Sequence, residues 1–402
     1  MSEASLFVGF DLGNERHALC VTDAQGSLLC QRMVANDLEA LTLLEEASGA
    51  YTPAQVRVAV EDEHNPLVDV LVGLGFCVFT LNPKQVDRFR DREGPSGAKD
   101  DRRDARVLAS TVRTDIGCFR RVSPPSELAV HLKGINRAID ALNQDFRRTA
   151  NRMRASVLRC YPALLSLCPG SDEAWFWDLV ELVLSANKPL MKARLTRLLK
   201  SHRIRRVTAD QLYELLRAPH LRAPPVVWES CTAQAIRLIE SLRLQARLLG
   251  ELVREQGALV ENAAGTADAP SDADILTSIP GVGPQTTAIL IVDAVPTLLA
   301  PDGYQICRSL AGVAPVTKRS GRSTRVEMRR SCKGSLRQAL HHAAANAALR
   351  DEVFRAHYQR LRARGHSRPR ALRALGDKLL KILSVMLKNR TLYQPQGAQK
   401  IA

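Results

Sequence analysis

Aromatic residues are scarce in this chain: Phe, Trp and Tyr make up 4% of its 402 residues. A chain so poor in flat rings does not rest its contacts mainly on stacked bases. No apolar run approaches the roughly 18 residues that a membrane-spanning helix needs, which excludes a helical membrane span. The nine cysteines (20, 30, 77, 118, 160, 168, 231, 307 and 332) include no Cys-x-x-Cys pair. Their odd number and the lack of a secretory leader predict a reducing, cytoplasmic setting. Several sit in apolar runs, where a reduced thiol acts as a small hydrophobe. The nine histidines lack metal-ligand spacing, and His341-His342 reads as helix surface.

Acidic residues are the minority charge. Against 57 Lys and Arg stand 42 Asp and Glu, a net charge of +15. The excess is clustered. Residues 188–206 hold eight basic residues and no acid; 317–337 hold eight against Glu327 alone; 355–381 hold nine against Asp377 alone. The first 80 residues are much less basic. This asymmetry predicts catalysis near the N-terminus, a nucleic-acid grip further on, and a nucleoid-associated protein.

The acids that are present stand in a pattern. Asp11 lies in the apolar run Leu6-Phe7-Val8-Gly9-Phe10-Asp11-Leu12, and Glu61 ends Val56-Arg57-Val58-Ala59-Val60. Asp101 and Asp104 are spaced i, i+3 on a helix expected over about 99–114, so they share a face. A carboxylate within or at the end of an apolar strand is costly unless compensated. Converging acids call for cations, and paired Mg²⁺ ions about 3.5–4 Å apart are the usual answer in phosphodiester chemistry. Each acid alone reads as a cap, turn or surface charge; the ordered set points to an RNase H-like or RuvC-like nuclease core.

Periodicity predicts strands at 6–12, 18–22, 28–34, 56–60 and 76–81, with helices at about 37–47 and 66–74. This is a mixed α/β sheet. Asn82-Pro83 ends its last strand, and Gly94-Pro95-Ser96-Gly97 is a flexible break. From about Pro125 the chain turns helical. Ile239, Leu242, Ala246, Leu249 and Val253 form a short a/d seam, read either as a bundle helix or as a coiled-coil contact between subunits. A Pro/Gly-containing stretch at 263–273 reads as a linker. The expected domains are a catalytic domain at 1–120, a helical region at 121–262, a C-terminal domain at 263–393 and a flexible tail at 394–402.

Two further motifs lie in the C-terminal part. Ile279-Pro280-Gly281-Val282-Gly283-Pro284, followed by a helix, resembles a helix-hairpin-helix, in which Gly281 and Gly283 expose backbone N–H groups to a DNA phosphate; the alternative is an ordinary Gly-Pro turn. Lys318-Arg319-Ser320-Gly321-Arg322 sets a serine among arginines. Read locally, Ser320 is a turn residue; read with its arginines, it is a nucleophile for a phosphodiester.

Taken together these marks resemble the DEDD-type insertion-sequence transposase and site-specific recombinase family. That family includes the Piv-like DNA invertases and bridge-RNA-guided recombinases. The resemblance runs over essentially the whole chain. It rests on VGFDLG with Asp11, VAVE with Glu61, LNPKQVDRFR at 81–90, KDDRRDA with Asp101 and Asp104, IPGVGPQTTA at 279–288, GVAP at 312–315, RSG with Ser320, KGSLRQAL at 333–340 and YQRLRARG at 358–365. It implies an N-terminal RuvC-like domain, a helical and coiled-coil middle and a mostly α-helical C-terminal transposase domain.

By this resemblance Asp11, Glu61, Asp101 and Asp104 hold Mg²⁺ or Mn²⁺, and Ser320 forms a transient phosphoserine link to DNA. The C-terminal domain would dock on the catalytic one. Nucleic acid would be held by Lys99, Gly281, Gly283, Lys318, Arg319, Arg322, Arg325, Arg329, Arg330, Lys333 and Arg337. The implied partners are DNA (element ends and target), a guide RNA and further copies of the chain as a dimer or tetramer. Two departures stand out: Asp100 replaces the usual Thr and adds a fifth acid, and Ser323 is a second serine candidate. A RuvC-like structure-specific nuclease that only hydrolyses, and a non-catalytic nucleic-acid-binding protein, are the alternatives.

Overall fold

The computed structural model describes residues 6–49, 51–61, 65–81, 86–90, 100–122, 126–186, 191–219, 221, 223–266, 268–321 and 323–395. The chain divides into two compact units, Met1–Ser126 and Glu127–Ala402.

The first unit is a mixed sheet with helices. Strands β1 (Leu6–Leu12), β2 (Arg16–Asp23) and β3 (Leu28–Ala35) form an antiparallel meander. Strands β4 (Val56–Val60) and β5 (Cys77–Thr80) extend it in parallel beyond β1, and the short β6 (Arg120–Arg121) closes the edge antiparallel to β5. The order is β3-β2-β1-β4-β5-β6. Polar residues start and stop the elements as the sequence suggests. Asp23 accepts hydrogen bonds from the Gln25 and Ser27 amides, and Gly26, at φ +90°, completes the β2–β3 turn. Asp37 caps α1 (Leu38–Ser48), and Asn65, followed by Pro66, caps α2 (Pro66–Gly73). The second strand begins at Arg16 rather than at 18. His17 is drawn in because it pairs with Leu12 and its imidazole bonds Asn36 at 2.9 Å. Asn82, Pro83 and the break at 94–97 lie outside the described residues.

Alternation along the strands sorts side chains onto two faces. Leu6, Val8, Phe10, Val56, Val58 and Val60 pack with Ala40 and Leu44 of α1 and Leu67 and Leu71 of α2. Phe7 and Ala59 point the other way, against Leu108 and Val112 of helix α3 (Asp101–Thr114). Small residues let α3 lie close: Ala105 and Ala109 pack on Ala18 and Cys20.

The second unit is mostly helical. Helix α4 (Glu127–Cys160) packs against α8 (Pro225–Asn262), with α5 (Ala174–Leu184), α6 (Lys192–Ser201) and α7 (Ala209–Arg217) between them in sequence. One core joins the end of α4 (Met153, Val157, Cys160) to the start of α8 (Cys231, Ala235, Ile239) around Trp175, Phe176 and Trp177. The other joins the start of α4 (Ala129, Leu132) to the end of α8 (Val260). The pair is therefore antiparallel. Buried Gln256 donates to Asn136 Oδ1 at 2.6 Å and so pins its register. Ile239 and Leu242 are fully buried in this chain's own core, with Ala246 packed beside them, so the upper seam is used within the chain.

The second core is completed by α9 (Asp272–Thr277), α10 (Pro284–Asp293), α11 (Val295–Leu299), α12 (Gly303–Leu310), α13 (Gly334–Arg350), α14 (Glu352–Ala363) and α15 (Arg368–Asn389). A two-stranded hairpin, β7 (Val316–Ser320) and β8 (Ser323–Glu327), interrupts the helices. The tail residues 396–402 lie outside the described residues. Among the described residues, no helix is long and apolar enough to cross a membrane.

Candidate nucleic-acid processing site

The acids of the first unit are placed by backbone geometry. β1 and β4 run parallel, with Phe10 opposite Val60, so Asp11 and Glu61 follow at the same level on neighbouring strands. Phe7 and Gly9 face α3, and Asp11 continues that alternation. Helix α3 runs antiparallel to β1: Leu108 and Val112 sit over Phe7, whereas Ala105 sits over Gly9. Its first turn, with Asp101 and Asp104, therefore lies toward the strand ends that carry Asp11 and Glu61. Gly9 makes this crossing achievable, because a Cβ there would lie 1.9 Å from the Ala105 carbonyl oxygen.

Asp100 has a structural use: its side chain accepts from the Arg102 amide and caps α3. Asp101 is exposed in the first turn. Asp104 is 2% exposed and is clamped by Arg90, which donates from Nε at 2.6 Å and from a terminal guanidinium nitrogen at 2.7 Å. Arg90 also bonds Asp87 at 2.8 Å. Burial works against the Arg90 charge, but the hydrogen bonds and charge of Asp104, then the charges of Asp87 and Glu61, outweigh it and push its pKa up. Arg90 thus senses both Asp104 and Glu61. Its guanidinium is the cationic partner of a buried carboxylate. Arg90 ends the LNPKQVDRFR run, but nothing in that run says which acid it would pair with.

Four carboxylates suit a hard divalent cation, but Asp104 is already held by Arg90. Among the described residues, no three of these four acids bring ligand oxygens within 4.8 Å of one another; the group that does is Cys168, Asp172 and Glu173. There Glu173 is already held by Arg206 at 2.5 Å and Trp175 Nε1 at 2.8 Å, and burial, then Glu173, pushes the Cys168 thiol up.

Removing Asp104 takes two hydrogen bonds from a half-buried guanidinium and leaves it Asp87. Asp104→Ala is expected to destabilise the first unit by about 3 kcal/mol. A urea titration followed by circular dichroism measures this, and an unchanged midpoint would mean that the clamp contributes nothing net.

In the second unit Ser320 and Ser323 face each other at the turn end of the β7–β8 hairpin, both exposed, with Gly321 turning the chain at φ +55°. The serine loop expected from sequence is thus a hairpin tip. Arg322, like Lys99, lies outside the described residues. Arg319 and Arg330 are exposed, whereas Lys318 and Arg325 both bond Glu327 at 3.0 Å. Lys333 bonds Asp293 at 3.2 Å and so ties the start of α13 to α10. Arg329 and Arg337 are half-buried. In the 279–284 run, Gly281 (φ +95°) lies against the α13 backbone: a Cβ there would lie 2.5 Å from the Ala347 amide nitrogen. Close packing accounts for this glycine. Gly283 precedes α10 in open space.

Known proteins bear on both units. A DEDD-type transposase model matches residues 8–162, and the model of the transposase IS116/IS110/IS902 family matches 273–359. The chain is 28% identical over 409 residues to the candidate transposase of the IS117 mini-circle of Streptomyces coelicolor, covering 98% of this chain and 96% of that protein. It is 28% identical over 411 residues to the 43.6 kDa protein of insertion element IS110 from the same organism, covering 100% and 99%. It is 38% identical over 209 residues to the candidate transposase y4uE of Sinorhizobium fredii; that match takes in 50% of this chain and 58% of y4uE. The two family matches define a protein of the transposase class. More narrowly, the chain belongs to the IS116/IS110/IS902 family of insertion-sequence transposases.

Proposed function

We propose that the chain is a DNA recombinase of an insertion sequence that cuts and rejoins strands with an acid-held divalent metal and a serine nucleophile. The observation that carries the reading is the placing of Asp11 and Glu61 on adjacent parallel strand ends, on the sheet face and toward the end where the first turn of α3 with Asp104 lies. The sheet order, with a three-strand meander followed by two parallel strands, supports a RuvC-like core. Asp11, Glu61, Asp101 and Asp104 would hold Mg²⁺ or Mn²⁺. The ion supplies neutralisation of the charge that develops on phosphate oxygens.

The chain's own step is phosphoryl transfer. Ser320 Oγ attacks phosphorus, the bond from phosphorus to the departing strand oxygen breaks, and the serine proton ends on that oxygen. The strand is left as a phosphoserine ester. Attack by the hydroxyl of another strand reverses the sequence and restores Ser320. No oxidant or external energy source is needed, because each phosphoester bond replaces another. The basic stretches hold DNA and, in this reading, a structured guide RNA, and the active form is a dimer or tetramer. The proposed domains are 1–120, 121–262 and 263–393, with a tail at 394–402.

A covalent adduct tests the reading. Protein with Mg²⁺, copurified RNA and DNA bearing the element ends is run on a denaturing gel. An adduct is expected in wild type and Ser323→Ala and not in Ser320→Ala. Cleavage without adduct, equal in all three, would assign the chain to hydrolytic nucleases. An adduct lost only in Ser323→Ala would move the nucleophile across the hairpin.

A further inference from the structure

The second unit contains a cavity of about 440 Å³ at the root of the β7–β8 hairpin. One wall is the end of β8 and the residues just after it, Glu327 to Arg329; the other is His366 and the first turns of α15, with Arg370 and Arg373. Two buried nitrogens on this cavity, Arg329 Nε and His366 Nδ1, have no hydrogen-bond partner. Arg373 donates to the Met328 thioether at 2.9 Å, a weak acceptor for a guanidinium. Buried polar nitrogens without partners are costly, and both of these belong to residues that line the cavity.

The end of α15 that borders the cavity adds to this. Its N-cap, Ser367, makes no side-chain cap, and the first turn carries no acid. It carries Arg368 and Arg370 instead, so cations load the positive end of a 22-residue helix. That arrangement is unfavourable unless an anion lies nearby. Two carboxylates also line the cavity, but both are engaged. Asp377 accepts from Arg308 at 2.5 Å and 3.1 Å and from Tyr304 at 3.0 Å. Glu327 is held below its usual range first by its hydrogen bond to Lys318.

We infer that this cavity binds a phosphodiester group of a nucleic-acid strand, held by Arg329, His366, Arg370 and Arg373. The inference rests on the recombinase reading for the identity of the strand and on the cavity alone for the anion. Four residue steps along β8 separate Glu327 from Ser323, about 13 Å. A phosphodiester held here is therefore a few nucleotides from the hairpin serines, and the cavity sets which stretch of strand reaches them. Neither His366, Arg370 nor Arg373 stands out in the sequence beyond the general basic charge of 355–381.

The test uses the full chain, with Arg370→Gln/Arg373→Gln and Arg329→Lys beside wild type. The second variant keeps the net charge and removes the unpartnered Nε. Fluorescence anisotropy with a labelled 20-base-pair DNA duplex and a labelled single-stranded RNA is measured over a range of salt. Thermal unfolding is followed in sodium phosphate and in sodium chloride of equal ionic strength; the chloride midpoint shows whether each variant folds. The expected result is at least tenfold weaker binding by both variants to one or both nucleic acids, with the double variant's log–log salt slope shallower by about 1, the value for one lost phosphate contact. Phosphate should raise the unfolding midpoint of wild type and not of the variants. Variants that fold and bind both nucleic acids as wild type does, with the same slope, overturn the inference and leave the recombinase reading intact. Loss of the phosphate effect with unchanged nucleic-acid binding also overturns it, in favour of free phosphate. Wild type that binds neither nucleic acid overturns both.

Discussion

Asp11→Ala is expected to lower strand transfer by on the order of 10³-fold or more while leaving DNA affinity within about twofold. Asp11 is at the end of β1, level with Glu61 and on the α3 face of the sheet, whereas the basic stretches proposed to grip nucleic acid lie in the second unit. On the proposed reading, removing its carboxylate takes away a metal ligand and no phosphate contact. Recombination between element ends on a plasmid measures the first effect, and anisotropy with the same DNA measures the second. Wild-type recombination by Asp11→Ala would remove this residue from the metal site. Equal loss of binding and recombination would make it a structural residue instead. Glu61→Ala should behave in the same way, because it occupies the matching position on β4.

Gly9→Ala is expected to unfold the first unit or to destabilise it by more than about 3 kcal/mol. The added methyl would lie 1.9 Å from the Ala105 carbonyl oxygen and 2.7 Å from the Ala109 nitrogen, and both are backbone. A rigid helix backbone cannot step aside as a side chain does, so α3 must lift off the sheet and take Asp104 with it. Strand transfer should be lost together with stability. Gly134→Ala is the control: that glycine lies inside α4 with nothing within 4 Å, so alanine should stabilise by about 0.5–1 kcal/mol through helix propensity. Chemical denaturation of the two variants beside wild type checks both signs. A Gly9→Ala midpoint equal to wild type would mean that α3 does not bear on β1 as described.

Much of the first unit is legible in the sequence because its signals are local. Alternating apolar residues mark β1 and β4, and Asp23, Asp37, Asn65 and Asp100 sit where turns and caps need them. The order of Asp11, Glu61, Asp101 and Asp104 along the chain also pointed to one chemistry and one family. The partner of Asp104 was not legible. Arg90 is one of many arginines, and its two bonds to Asp104 depend on how the chain between β5 and α3 returns to the sheet. The hairpin around Ser320 was equally hidden, since Val316–Ser320 and Ser323–Glu327 are exposed and carry no buried apolar stripe to announce strands.

Local pattern, then, determined the strands of the mixed sheet and the helical character of the rest, because each depends on neighbours in sequence, and the order of motifs along the chain pointed to the family. Tertiary structure alone decided which charges are engaged. It buried Asp104 under Arg90 and left Asp101 exposed; it set Gly281 against the α13 backbone; it drew Ile239 and Leu242 into this chain's own core. It also set Arg329, His366, Arg370 and Arg373 around one cavity. Burial and long-range pairing set the cost of a charge or an unpartnered donor, and both arise only when distant segments pack together.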